Sequence, residues 1–238
     1  MNQSIKAVLA FIAMTTLLVV FNNCSGAPQE EQSSQSVAAC KPVDAPLGTP
    51  NSLSETIQLI NALPKPLTLD CFLKSLQRPL GIMAVNNTFS AQPAVGNDSP
   101  RIFILNSRLA LSVVPAGTGK TLLEMSEPLN GVQSWKAELE FPIAANVDPY
   151  LMFDHITDRS TGTSRCTSCH TGETKQNYAG VGFGFVSNTV RPNESQRVNN
   201  LYLRNQAYIC NPSTNKYRCD ILQAVFSNGS TQDISFPF

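Results

Sequence analysis

The sequence predicts an α+β fold: a predominantly antiparallel β core, sandwich-like, with short N-terminal and C-terminal helices. Two observations carry that expectation. Between Arg101 and Phe141 apolar residues recur with a period near two, in runs separated by Asn, Gly and Pro. On either side of this stretch, Ser52–Leu63 and Lys216–Ser227 place apolar residues at helical spacing. With 42% hydrophobic residues, the chain from Cys40 onward has the length and apolar content of one domain with a core.

Taken in order, Ser52-Leu53-Ser54-Glu55 reads as a capping box opening a helix whose apolar positions are Leu53, Ile57, Ile60 and Leu63, and Pro64 ends it. A second short helix is expected over Leu69–Leu76, stopped before Pro79, so that the two form a small cap around Cys71. Strands follow at Ile102–Leu105, Leu109–Val114, Thr121–Met125 and Trp135–Phe141, and a further one at Gly182–Val186. Asn193 is expected to open a helix with Val198, Leu201, Tyr202 and Tyr208 on one side. In Lys216–Ser227, Cys219, Leu222, Val225 and Phe226 form an apolar stripe, with Gly229 as C-terminal cap. Gln232–Phe236 reads as a last strand, and no repeat or second domain boundary is visible.

The N-terminus has one early charge, Lys6, then an apolar run from Ala7 to Phe21, then Asn22-Asn23-Cys24. This layout is that of an export signal, and the run is short for a membrane-spanning helix of about 20 residues. The cysteine directly after the run resembles the lipobox of bacterial lipoproteins, although Asn23 stands where that pattern has a small residue. The resemblance implies a signal peptide over 1–23, lipidation at Cys24, and attachment of the exported chain to a membrane of the bacterial cell envelope. The alternatives are an uncleaved anchor or cleavage after Cys24, and each exports the domain. Residues 24–39, rich in Gln, Glu and Ser, read as a polar tether to a single globular domain over 40–238.

Export permits disulfides, so the seven cysteines are expected as pairs or modified sites. Local pairing gives Cys40–Cys71 and Cys210–Cys219, each closing a modest loop. Setting Cys24 aside for lipid leaves Cys166 and Cys169, which belong to Cys166-Thr167-Ser168-Cys169-His170. This Cys-x-x-Cys-His resembles the haem-attachment motif of c-type cytochromes, and the likeness covers these five residues only. It implies covalent haem c iron, with Cys166 and Cys169 as thioether attachments and His170 as proximal axial ligand.

The standard cytochrome c layout is not carried over, because no Met or His follows His170. A second axial ligand from the protein has to lie upstream, and His155 or Met152 is the nearest source. A zinc site using His155, Cys166, Cys169 and His170 is a further alternative, made awkward by the adjacency of Cys169 and His170. A Cys166–Cys169 disulfide or a vestigial motif is another.

Other chemistries are disfavoured. Seventeen basic and seventeen acidic residues leave no net charge to favour nucleic acid. Ala116-Gly117-Thr118-Gly119-Lys120-Thr121 looks like the end of a nucleotide-binding P-loop, but Val114 occupies the position of its first glycine, so a hairpin turn is expected. With two histidines and no Gly-x-Ser-x-Gly elbow, no substrate-processing constellation is visible, and the chain does not read as an enzyme. The expectation is an envelope-anchored monohaem protein for one-electron transfer or redox sensing with a redox protein partner. The competing expectation is a non-haem binding or structural lipoprotein.

Overall fold

The computed structural model describes residues 40–87 and 89–237. The expected signal peptide (1–23), the lipidation site Cys24 and the tether (24–39) lie outside the described residues.

Helix α1 (Leu53–Ala62) starts where its capping box places it. The Ser52 hydroxyl accepts from the Glu55 N–H at 3.1 Å, and the Glu55 carboxylate accepts from the Asn51 N–H at 2.7 Å. Its apolar stripe, together with that of α2 (Leu69–Ser75), is buried against the sheet, and a Cys40–Cys71 disulfide ties the start of the domain to α2.

Eight strands form one sheet: β1 (Leu80–Val85), β2 (Arg101–Leu105), β3 (Ala110–Val113), β4 (Leu122–Pro128), β5 (Gln133–Glu140), β6 (Thr174–Tyr178), β7 (Gly182–Asn188) and β8 (Thr231–Asp233). Their spatial order is β6-β7-β5-β4-β3-β2-β1-β8, antiparallel throughout except for the β1–β8 pair. The fold is therefore α+β with a predominantly antiparallel β core. Its second layer is helical, so the arrangement is one sheet covered by helices where a sandwich-like pair of sheets was expected. The expected hairpin turn over 116–121 joins β3 to β4, with Gly117 and Gly119 at φ of 85° and 71°, backbone that favours glycine.

One sheet face is apolar. Ile102, Ile104, Leu111, Val113, Leu123, Trp135, Ala137 and Leu139 join α1, α2 and the C-terminal helices in a single core. Those helices are α4 (Asn200–Ile209) and α5 (Pro212–Phe226), the latter kinked at Asn215, and a Cys210–Cys219 disulfide links the end of one to the other. The α4 face differs from the expected one. Asn193 caps a separate 3₁₀ turn (Glu194–Gln196), and α4 begins after Asn199, whose side chain accepts from the Leu201 and Tyr202 N–H groups. In α4, Leu203 and Ala207 are buried, while Leu201, Tyr202 and Tyr208 are exposed.

Where β7 no longer pairs with β5, a single-turn helix, α3 (Leu151–Asp154), packs beside β5. Phe153 is fully buried, with ring centroids 6.2 Å from Trp135 and 5.5 Å from Tyr178. Gly184 on β7 admits this ring, since a Cβ at that position would lie 2.7 Å from it. Gly184→Ala is expected to destabilise the domain by about 1–3 kcal/mol through overpacking. Urea unfolding checks it: a lowered midpoint is expected, and an unchanged midpoint would contradict the close contact.

Candidate functional site

The opposite sheet face is apolar at its β1–β3 end and polar yet covered across β4 and β5. Because side chains alternate along a strand, the residues that send Leu111, Leu123 and Trp135 into the helical core send Ser112, Glu124, Ser134, Lys136 and Glu138 the other way. Arg101 projects from β2 onto the same face, donating to Ser112 Oγ at 2.9 Å and pairing with Glu124. This surface is the floor of a cleft of about 780 Å³, within the size range of cofactor and small-molecule sites. Loop residues close it from the sides. Gln92 anchors one wall by donating to the carbonyls of Gly119 and Leu122 at 2.9 and 2.7 Å, and residues 189–193 supply another. Apolar lining comes from Phe89, Phe103, Ala110, Ile156, Val190 and Phe236.

Cys166, Cys169 and His170 all line this cleft. They are carried by a 3₁₀ turn (Arg165–Ser168) capped by Ser164, whose hydroxyl accepts from the Cys166 N–H at 3.1 Å. The Cys166 carbonyl then accepts from the N–H groups of Cys169 at 3.0 Å and His170 at 2.8 Å, which winds the pentapeptide into one compact turn. Both thiols are half-buried and unbonded, so the Cys166–Cys169 disulfide of the competing expectation is not formed.

Two tethers hold the turn over the sheet. At its front, Arg165 donates to the His155 carbonyl and lies 3.6 Å from the Glu138 carboxylate on β5. At its back, His170 Nδ1 lies 2.8 Å from the Asn188 carbonyl, and the Asn188 N–H returns to the Thr171 carbonyl at 2.9 Å. A carbonyl only accepts, so Nδ1 carries the hydrogen and Nε2 keeps its lone pair. A metal-binding histidine requires this tautomer when Nε2 is the ligand.

Burial, with Lys136 and Arg101 nearby, pushes the His170 imidazolium down to about 4, so the ring is neutral at physiological pH. Burial likewise raises the Cys166 thiol to about 11. Lys136 is 6% exposed, and burial pulls its ammonium down to about 8.

Neither expected distal residue faces the motif. Met152 is fully buried in the helix-side core, because α3 turns it together with Phe153 toward Trp135, across the sheet from the cleft. His155 Nδ1 hydrogen-bonds Glu138 at 2.9 Å, and its Nε2 lies 3.8 Å from a Glu140 oxygen. The Glu138 hydrogen bond engages Nδ1, and His155 is not among the residues that line the cleft. The zinc alternative is not assembled either: among the described residues, no group of three or more His, Cys, Asp or Glu is placed to hold a metal ion.

Sequence reasoning passed over the cleft floor altogether. Arg101, Glu124, Lys136 and Glu138 look like solvent-facing positions of alternating strands, and the distant loops that cover them leave no periodic signal.

The two histidines should titrate in opposite senses in the thiol form of the protein. The Glu138 hydrogen bond raises His155 above its ordinary 6.5, so the stability it contributes is full below that value and is lost as pH rises through the folded-state pKa. His170 is depressed, so its contribution is full above 6.5 and is lost as pH falls toward about 4. Ring-proton NMR titration checks both: one midpoint above 6.5, returning toward it in Glu138→Gln, and one near 4 are expected. Two midpoints near 6.5 would contradict the geometry. A scan against protein-family models and searches of curated proteins and of solved structures found no match to this chain.

Proposed function

We propose that this chain is an envelope-anchored, monohaem c-type cytochrome-like lipoprotein that transfers single electrons or senses redox state. The observation that carries the reading is the joint placement of Cys166, Cys169 and His170 on one wall of a cleft of about 780 Å³, with both thiols unbonded and His170 Nε2 unprotonated.

The residues present fit a haem. Cys166 and Cys169 are thiols that face the cavity, and each can form a thioether to one vinyl group of the porphyrin. The Asn188 carbonyl fixes the His170 ring in the tautomer that presents Nε2, and the same hydrogen bond raises the basicity of that nitrogen. Arg165, held by Glu138, fixes the position of the residue that follows it, Cys166. Phe103, Ala110, Ile156 and Phe236 add apolar surface that would tune the potential of a bound iron. Arg101, Arg165 and Arg191 also line the cleft, a favourable wall for the porphyrin's carboxylates. The bound iron supplies the one-electron chemistry, and the chain supplies binding, orientation and electrostatics. The envelope location rests on the apolar N-terminal run and Cys24. A redox protein is the implied partner.

Expression of the full chain in a host with cytochrome c maturation machinery tests the reading. After denaturation, a Soret absorbance that stays with the polypeptide is expected, and the double variant Cys166→Ser/Cys169→Ser should lose it completely. A wild-type chain free of bound haem under those conditions would overturn the proposal and leave the non-haem binding lipoprotein as the reading.

A further inference from the structure

The sixth axial position of the haem is the open chemical question of this site, since His155 is engaged by carboxylates and Met152 lies across the sheet. Apart from the attachment motif and the guanidinium groups, which have no lone pair to offer, the amine and thioether side chains among the cleft-lining residues are Lys136 and Met125. Met125 sits one position out of phase with Glu124 and packs in the helix-side core. Lys136 stays.

Its surroundings are those of a group built in for a ligand. It is 6% exposed on the central strand β5, and its cross-strand neighbours are Ser126 on β4 and Phe185 on β7, neither of them an acid. Of the acids nearby, Glu124 pairs with Arg101 through one oxygen, its Oε1 having no hydrogen-bond partner, and Glu138 pairs with His155 and Arg165. Among the described residues no ion pair includes Lys136, and its Nζ donates to the Ser134 hydroxyl at 2.7 Å. An ammonium buried with a hydroxyl as its partner is an expensive arrangement unless something in the cleft compensates it. Lys136 lines the same cleft as Cys166, Cys169 and His170.

The geometry points to Lys136 as a second residue that, with His170, would hold the iron of a haem bound in this cleft. This rests on the haem reading above. Binding requires the ammonium to release one proton to solvent, after which the nitrogen lone pair takes the coordination position. The iron oxidation state does not change in that step. The sheet supplies rigidity, so the amine is presented from a central strand and the imidazole from the turn.

The test uses the full chain matured with haem and compares wild type with Lys136→Ala and Lys136→Arg by ferric absorption and electron paramagnetic resonance. Lys136→Arg keeps the stem and the positive charge and removes the lone pair, so it separates coordination from charge or packing. The wild type should be low-spin. Both variants should lose the low-spin signal and become high-spin while keeping the same covalent haem content on denaturing gels. Added methylamine should restore the low-spin spectrum of Lys136→Ala, a response that a merely structural role would not produce. A high-spin wild type, or a low-spin signal retained by either variant with haem still attached, would overturn the assignment of Lys136 and leave haem attachment standing. A wild type without covalent haem would overturn the haem reading itself, and with it this one.

Discussion

The alternation of side chains along β5 is the constraint on which the rest of the molecule depends. Trp135, Ala137 and Leu139 enter the core beneath the helices, so Ser134, Lys136 and Glu138 must go to the other side. That other side is covered, and a covered carboxylate needs partners. Glu138 finds them in His155, which closes α3, and in Arg165, which opens the turn bearing the cysteines. One acid thus fastens the end of the small helix and the attachment turn to the sheet. Its loss would leave the half-buried His155 ring and the exposed Arg165 guanidinium without their common acceptor, so the turn depends on the sheet for its position as well as its support.

The two faces have different physics. The helix face is an ordinary apolar core, in which hydrophobic burial supplies stability and two disulfides secure the flanking helices. On the cleft face a small apolar cluster of Met83, Val85, Phe103, Leu105 and Ala110 occupies the β1–β3 end, and charge occupies the β4–β5 end. Two buried polar atoms there, Arg101 Nε and Glu124 Oε1, have no hydrogen-bond partner. Such groups are uncommon in a finished interior and common where a ligand or ordered water completes the site. This floor lies in the same cleft as two thiols and a neutral histidine.

Much of the helical face was legible in the sequence. The capping box at Ser52 acts locally, and the strands from Ile102 to Phe141 advertise themselves by alternation, so both were readable without long-range information. β1 was not, because Leu80–Val85 is buried almost throughout and shows no alternation to read. β6 was missed for the opposite reason: Thr174–Tyr178 is an edge strand that is mostly exposed and polar. Alternation shows that an apolar face must be covered but not whether helices or a second sheet cover it, which is why a sandwich was expected. At the site, the motif was legible as five consecutive residues, whereas its surroundings were not. Proximity in sequence pointed to Met152 and His155; the short helix α3 placed one in the helix-side core and the other against Glu138, and the pleat of β5 put Lys136, some thirty positions upstream, in the cleft.

In this fold a turn presents two thiols and an imidazole, and the sheet forms the floor of the same cleft. The proposed function requires that Cys166 and Cys169 be covalently occupied by haem. Trypsin cuts after Arg165 and Lys175, so mass spectrometry of the chain purified from a haem-maturing host isolates the motif in one peptide. The account predicts that this peptide carries the added mass of one intact haem and no alkylatable thiol. Recovery of the same peptide with two alkylatable thiols, or with a disulfide between them, would contradict it.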